Sequence, residues 1–241
     1  MYSKDLSDSI FIKWLLFFIT LLIILYLLAY YGHISELVSN DVSNISIVIL
    51  SIFIFFSIKI GFLLYKVKDS CYNLIVLSTS NEYKNIENTI KQINISNNYY
   101  DICIYDQLKS FYTNDIKDKK DINEVFEYKF TKDIDLGWFI VDLLIKLGLI
   151  GTVIGFIIML SSIALIEDFD LSLMQSLLKN MSSGMMVALY TTLTGLLSSI
   201  TLSFQNKYLE SIIYDMISIV TKLIEIKNPL ILQALNEKKE V

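Results

Sequence analysis

The sequence has no arginine: all twenty of its basic residues are lysine, set against twenty-five acids for a net charge of −5. The fork-shaped donor that recognises phosphates in pairs of hydrogen bonds is therefore missing. With an acidic balance and no basic patch, nucleic acid is not expected as a partner. Proline occurs once, as Pro229, and glycine eight times in 241 residues, which excludes collagen-like, Pro-rich and disordered chains. The two cysteines, Cys71 and Cys103, are too few and too isolated for a disulfide framework or a metal site, and read as reduced thiols. Charged residues make up only 19 % of the chain, against roughly 25 % in soluble domains. Hydrophobic residues supply 54 % and the mean hydropathy is +0.54, so a water-soluble globular enzyme does not fit.

A membrane-spanning helix needs about 20 apolar residues, and four stretches supply them. The first, Ile10 to Tyr31, is too long for a signal-peptide core and has no small-residue cleavage site, which makes it an uncleaved span. The second runs from Ile45 to Leu64, with Lys59 near enough to its end to snorkel. The third extends from Trp138 to Ile166 and the fourth from Gly184 to Phe204. Trp14, Tyr30, Tyr31, Tyr65 and Trp138 sit near span ends, as in an interfacial aromatic belt.

Lysine counts set the orientation. The segment 32–44 has none, and 167–183 has one against three acids, so both are expected outside. The segment 66–135 has ten, the tail after Phe204 has five, and the N-terminus has Lys4 and Lys13. Both termini and the long middle segment are expected in the cytoplasm, and four crossings return the chain to its starting side.

Within 66–135, Ile86, Ile90 and Ile93 recur at helical spacing, so short helices are expected there. The mixed-charge stretch from Ile116 to Asp135 reads as a solvated helix face or a docking surface. After Phe204, the residues Leu209, Ile212, Ile213, Met216, Val220, Leu223 and Ile224 keep the three-and-four spacing of an amphipathic helix, which should stop near Pro229. Asp170 is placed to cap a helix starting at Leu171. From there to Lys227 a single helix would be on the order of 80 Å long, with a kink expected near Ser182 to Gly184.

Within the membrane the third span carries Gly148, Gly151 and Gly155, and the last two form a small-xxx-small pair that lets helix backbones approach closely. The fourth span carries Ala188, Thr192, Gly195 and Ser199 as a small, hydroxyl-bearing stripe. Two readings are open. The hydroxyls bond to backbone carbonyls and the small residues pack, or the stripe is a narrow polar seam for an ion or a protonated group. The fourth span has no acid, lysine or histidine, whereas proton conduction calls for a titratable carrier within the membrane. Asp142 and Lys146 form an i, i+4 pair in the first part of the third span, as a neutralised anchor or as the cytoplasmic mouth of a pathway. If an ion crosses, the mid-membrane acid must come from another chain. There is no HExxH, no Ser/His or Cys/His set and no phosphate-cradling loop, and His33 stands alone in an outer loop. Neither an enzyme nor a cofactor or metal is expected.

The residues LGLIGTVIGF at Leu147 to Phe156 and GMMVALYTTLTGLLSSI at Gly184 to Ile200 resemble the paired motifs, of the type LGLxGTVxG and ALxxTxxGL, of the MotA/TolQ/ExbB proton-channel family. The resemblance covers Asp135 to Ile226. It implies a homo-pentameric ring around a dimer of a single-span partner of the MotB/TolR/ExbD type, which carries the protonatable Asp. It also implies that Thr152 and Thr192 face that Asp and that Gly151, Ala188 and Gly195 make room for it. Two features depart from the TolQ and ExbB pattern: Val187 stands where those members place an acid, and no proline precedes the first motif, near Ile145. Two spans before the cytoplasmic segment resemble MotA, while the motifs read more like TolQ and ExbB.

The expected architecture is thus an all-α membrane protein with four transmembrane helices, the third and fourth extending into the cytoplasm. Residues 10–65 hold two spans, 66–135 a helical cytoplasmic region, 136–205 the two motif-bearing spans, and 206–241 a cytoplasmic helix and tail. The expected function is that of a ring subunit of a proton- or sodium-driven motor in the bacterial inner membrane. A flagellar-type stator and a non-conducting membrane scaffold are the alternatives.

Overall fold

Because only one proline interrupts the apolar runs, helices once nucleated propagate far. The computed structural model describes residues 2–32, 41, 43–79, 83–113, 119–163, 171–225 and 231. Among these are six helices and no strand: α1 (Tyr2–Tyr30), α2 (Ile45–Thr79), α3 (Tyr83–Ile95), α4 (Tyr99–Thr113), α5 (Lys119–Ile163) and α6 (Leu171–Glu225). The all-α class is as expected, and α1, α2, α5 and α6 are each long and apolar enough to cross a membrane. Asp170 and Pro229, expected at the ends of α6, lie outside the described residues.

Two helices exceed the spans expected of them. α2 continues past Leu64 to Thr79 because Val67, Cys71 and Leu74 extend its buried stripe at helical spacing. The extension expected of the third helix runs back from Trp138 to Lys119 in α5, because Phe126, Phe130 and Ile134 give the mixed-charge stretch a buried apolar edge. α6 is an unbroken helix of 55 residues, with no interruption at Ser182 to Gly184.

The chain divides into two compact units. The first comprises 1–16, 60–135 and 207–241. Its core joins Ile86, Ile90 and Ile93 of α3, Ile104 and Leu108 of α4, Phe126 and Phe130 of α5, and the full α6 stripe expected from Leu209 to Ile224. Tyr100 and Phe126 both rest against Phe130, with ring centroids 5.3 and 4.6 Å away. Asn98 caps α4 by accepting from the Tyr100 N–H at 3.3 Å, and its amide donates to the Lys66 carbonyl at 2.7 Å, tying α4 to α2. Trp14 is buried, its ring seated where Gly61 leaves room on α2. It packs inside the protein instead of joining an exposed aromatic belt, whereas Tyr30, Tyr31, Tyr65 and Trp138 are exposed.

The second unit comprises 17–59 and 136–206. It holds the parts of α5 and α6 that carry the two motifs, packed as an antiparallel pair.

Candidate functional site

Helices approach this closely only where side chains are small, and the pairing of α5 with α6 is built on that rule. Gly148 lies against Thr191, Thr192 and Gly195; Gly151 against the side chain of Thr191; Gly155 against Gly184 and Ala188; Gly195 against the backbone of Leu144 and Gly148. A methyl group added at Gly155 would sit 2.6 Å from the Gly184 carbonyl oxygen and 2.7 Å from the Ala188 nitrogen. No rotamer change relieves such a clash, since both atoms belong to backbone. The sequence stripes Gly148, Gly151, Gly155 and Ala188, Thr192, Gly195 therefore meet each other within one chain.

The threonine hydroxyls along this contact each have an acceptor. Thr152 donates to the Leu149 carbonyl at 2.6 Å. Thr192 is within reach of two carbonyls, Ala188 in its own helix at 3.0 Å and Gly148 across the contact at 3.2 Å. Thr152 and Thr192 are both half-buried, at the margin of the contact, while Ser199 is buried. Each carbonyl can only accept, so each threonine's single proton is committed and only its lone pairs remain available.

Asp142 and Lys146 lie elsewhere. They form an exposed pair at 3.5 Å, on the face of α5 that also exposes Leu149 and Val153, away from the glycines. At that face the pair is screened by solvent or headgroups and adds little stability.

The contact also contains polar residues that the sequence stripes leave out. Thr191 is fully buried against Gly151 and donates to Val187 at 2.9 Å. Thr194 donates to Tyr190 at 2.7 Å. Further along α6, Gln205 is buried and accepts from Ser57 of α2 at 2.8 Å, and Asn206 is buried against Gly137 of α5. The signal was present, because Val187, Thr191, Thr194, Ser198, Leu202 and Gln205 form a second three-and-four stripe beside the first. Val187 itself is wholly buried, so the position where TolQ- and ExbB-like motifs carry an acid points into the protein.

In the second unit, Asp41 is buried before the start of α2. Its carboxylate accepts from the Ser43 N–H at 3.0 Å and the Ser46 N–H at 2.8 Å, capping the helix. Burial pushes its pKa up, but the bonds from Ser43 and Ser46 outweigh that and hold the carboxyl below its ordinary value. Among the described residues no group of His, Cys, Asp and Glu side chains could hold a metal ion.

The family model described as the MotA/TolQ/ExbB proton channel family matches residues 108–222, which take in the end of α4, all of α5 and nearly all of α6. No curated protein and no solved structure matches the chain. The four apolar helices and this match together point to a multi-pass membrane protein that carries, over residues 108–222, a match to the MotA/TolQ/ExbB proton channel family.

Proposed function

We propose that the chain is the ring-forming subunit of an inner-membrane motor, which conducts protons (or sodium) and converts their flow into mechanical work. Five copies surround a dimer of a single-span MotB/TolR/ExbD-like partner, with both termini and the 66–135 region in the cytoplasm. The subunit needs no cofactor and performs no enzymatic step of its own. The fourth span offers no acid, lysine or histidine, so the titrating group is the partner's.

The observation that carries this reading is the commitment of the Thr152 and Thr192 protons to backbone carbonyls. A hydroxyl so engaged accepts a hydrogen bond but donates none. It suits the protonated, donor form of an incoming carboxylic acid and offers nothing to the ionised form, which is acceptor-only. Docking then follows the protonation state of the partner's acid, and a proton gradient across the membrane can drive cycles of binding and release.

The test is purification in mild detergent together with a single-span protein encoded beside this one, followed by native mass spectrometry and a proton-flux assay in vesicles. A mass of five subunits plus two partners, with flux lost on replacing both Thr152 and Thr192 by Val, supports the motor. A lone monomer or dimer without flux favours the second reading, a non-conducting scaffold. That reading draws its support from the same closure of hydroxyls onto backbone, which packing alone would also produce.

A further inference from the structure

α2 leaves its apolar run at Leu64 and presents, on one exposed strip, Phe62, Tyr65 and Lys66. Helical side chains lean toward the helix N-terminus, which for α2 is the direction of the apolar run. Lys66 follows that rule: its ammonium lies over the Phe62 ring, 4.6 Å from the centroid. The charge is thus held one turn deeper than its own Cα, beside a ring that is 59 % exposed. Among the described residues Lys66 forms no ion pair, not even with Asp69 one turn further on.

The surroundings fix the depth. Phe11 of α1 meets the Tyr65 ring edge-on at 5.6 Å and stacks on Trp14 at 5.9 Å, while Trp14 covers Gly61. Tyr65, an exposed tyrosine at the end of an apolar run, marks the headgroup level of a bilayer. An ammonium at that level, without a carboxylate, attracts an anion, and the anions there are lipid phosphates. The exposed Phe62 and Tyr65 rings meanwhile offer the acyl chains an apolar wall.

We propose that Phe62, Tyr65 and Lys66 form a seat for an anionic phospholipid, with the phosphate on the Lys66 ammonium and the upper acyl chain along Phe62. All three residues belong to one helix of one subunit. Its ligand class is a glycerophospholipid with net negative charge, such as phosphatidylglycerol.

Trp14 is a built-in reporter, since it lies beside Gly61 and Phe11 at the same level. The experiment uses the full-length Trp138→Phe protein in phosphatidylcholine vesicles containing a minor fraction of dibrominated lipid, either phosphatidylcholine or phosphatidylglycerol. Bromine quenches tryptophan at short range. Dibrominated phosphatidylglycerol should quench Trp14 with an apparent affinity about fivefold higher than dibrominated phosphatidylcholine, the factor that one lysine near an anionic interface supplies. Lys66→Gln should remove the preference and Lys66→Arg should keep it. Equal quenching by the two lipids, or a preference that survives Lys66→Gln, overturns the assignment.

Discussion

Thr192 donates its hydroxyl to the Gly148 carbonyl at 3.2 Å while also lying 3.0 Å from the Ala188 carbonyl of its own helix. The cross-helix partner is reachable because Gly148 has no side chain to hold α6 away. One glycine and one threonine, in different motifs and 44 positions apart, thus make a single structural unit. The polar group is satisfied without water and the helices stay close enough for Gly155 and Gly195 to touch backbone and for Gly151 to meet the Thr191 side chain.

Replacing Thr192 separates its shape from its hydrogen bond. Thr192→Ser keeps an oxygen that can reach both carbonyls and should retain stability and flux. Thr192→Val keeps the branched shape but removes the oxygen, and should cost about 0.5 to 1 kcal/mol while abolishing flux. Thermal unfolding in detergent and proton flux in vesicles, measured on both variants, check this. Full flux from Thr192→Val would remove the hydroxyl from the pathway.

The glycines predict a graded series. Gly155→Ala and Gly184→Ala push a methyl into backbone atoms 2.6 to 2.7 Å away, and each should destabilise the hairpin by about 1–3 kcal/mol. Gly148→Ala meets its nearest neighbour at 3.3 Å and should cost less. Thermal unfolding of the three variants gives the order, and a Gly148→Ala protein less stable than Gly155→Ala would show that the pairing of α5 with α6 differs from the one described.

Much of this was legible in the sequence, for a physical reason. Apolar runs and three-and-four stripes are local, so Ile86, Ile90 and Ile93, or Leu209 through Ile224, announce their buried faces without knowledge of the partner helix. The small residues announce close contact in the same way, but not which helix they touch, since lipid-facing and subunit-facing contacts would select the same residues. Gly148 and Gly155 announce close packing in this way, and the structure supplies the partner, α6 of the same chain. Trp14 misleads similarly: its position near a span end suggests an interface, and only the gap over Gly61, 47 residues later, shows where the ring goes. Gln205 was passed over because it lies just beyond the apolar run, although it continues a buried stripe.

Gln205 and Ser57 provide a test of buried polarity. Ser57 donates to the Gln205 carbonyl oxygen at 2.8 Å, whereas the Gln205 amide nitrogen has no partner among the described residues. Gln205→Leu leaves the Ser57 hydroxyl to find another acceptor, and Ser57→Ala leaves the whole amide unpaired, so each single change should cost about 1–3 kcal/mol. Removing both together also removes the amide's unmet nitrogen, and the double variant should be more stable than the sum of the single losses, with a coupling of about 0.6 to 1.7 kcal/mol. A double-mutant cycle of unfolding free energies measures it. Strict additivity would mean that the bond contributes nothing in the folded protein.

Asp41 gives a pH dependence with a definite sign. Hydrogen bonds from Ser43 and Ser46 hold its carboxyl below the ordinary value of 3.8, so the folded protein binds the proton less readily than the unfolded chain. The resulting stabilisation is complete above the unfolded value and is lost as pH falls through the lower folded one. Asp41→Asn keeps an oxygen for one of the two N–H groups but carries no charge, and should be less stable than the parent by about 1 kcal/mol near neutrality. The gap between the two proteins should hold at higher pH and narrow as pH falls below about 4.5 and on through the folded value, because only the parent loses its carboxylate. Comparing the pair cancels the titration of every other acid. A gap that stays constant across that range would show that the cap works through its hydrogen bonds alone and that the charge of Asp41 adds nothing to the start of α2.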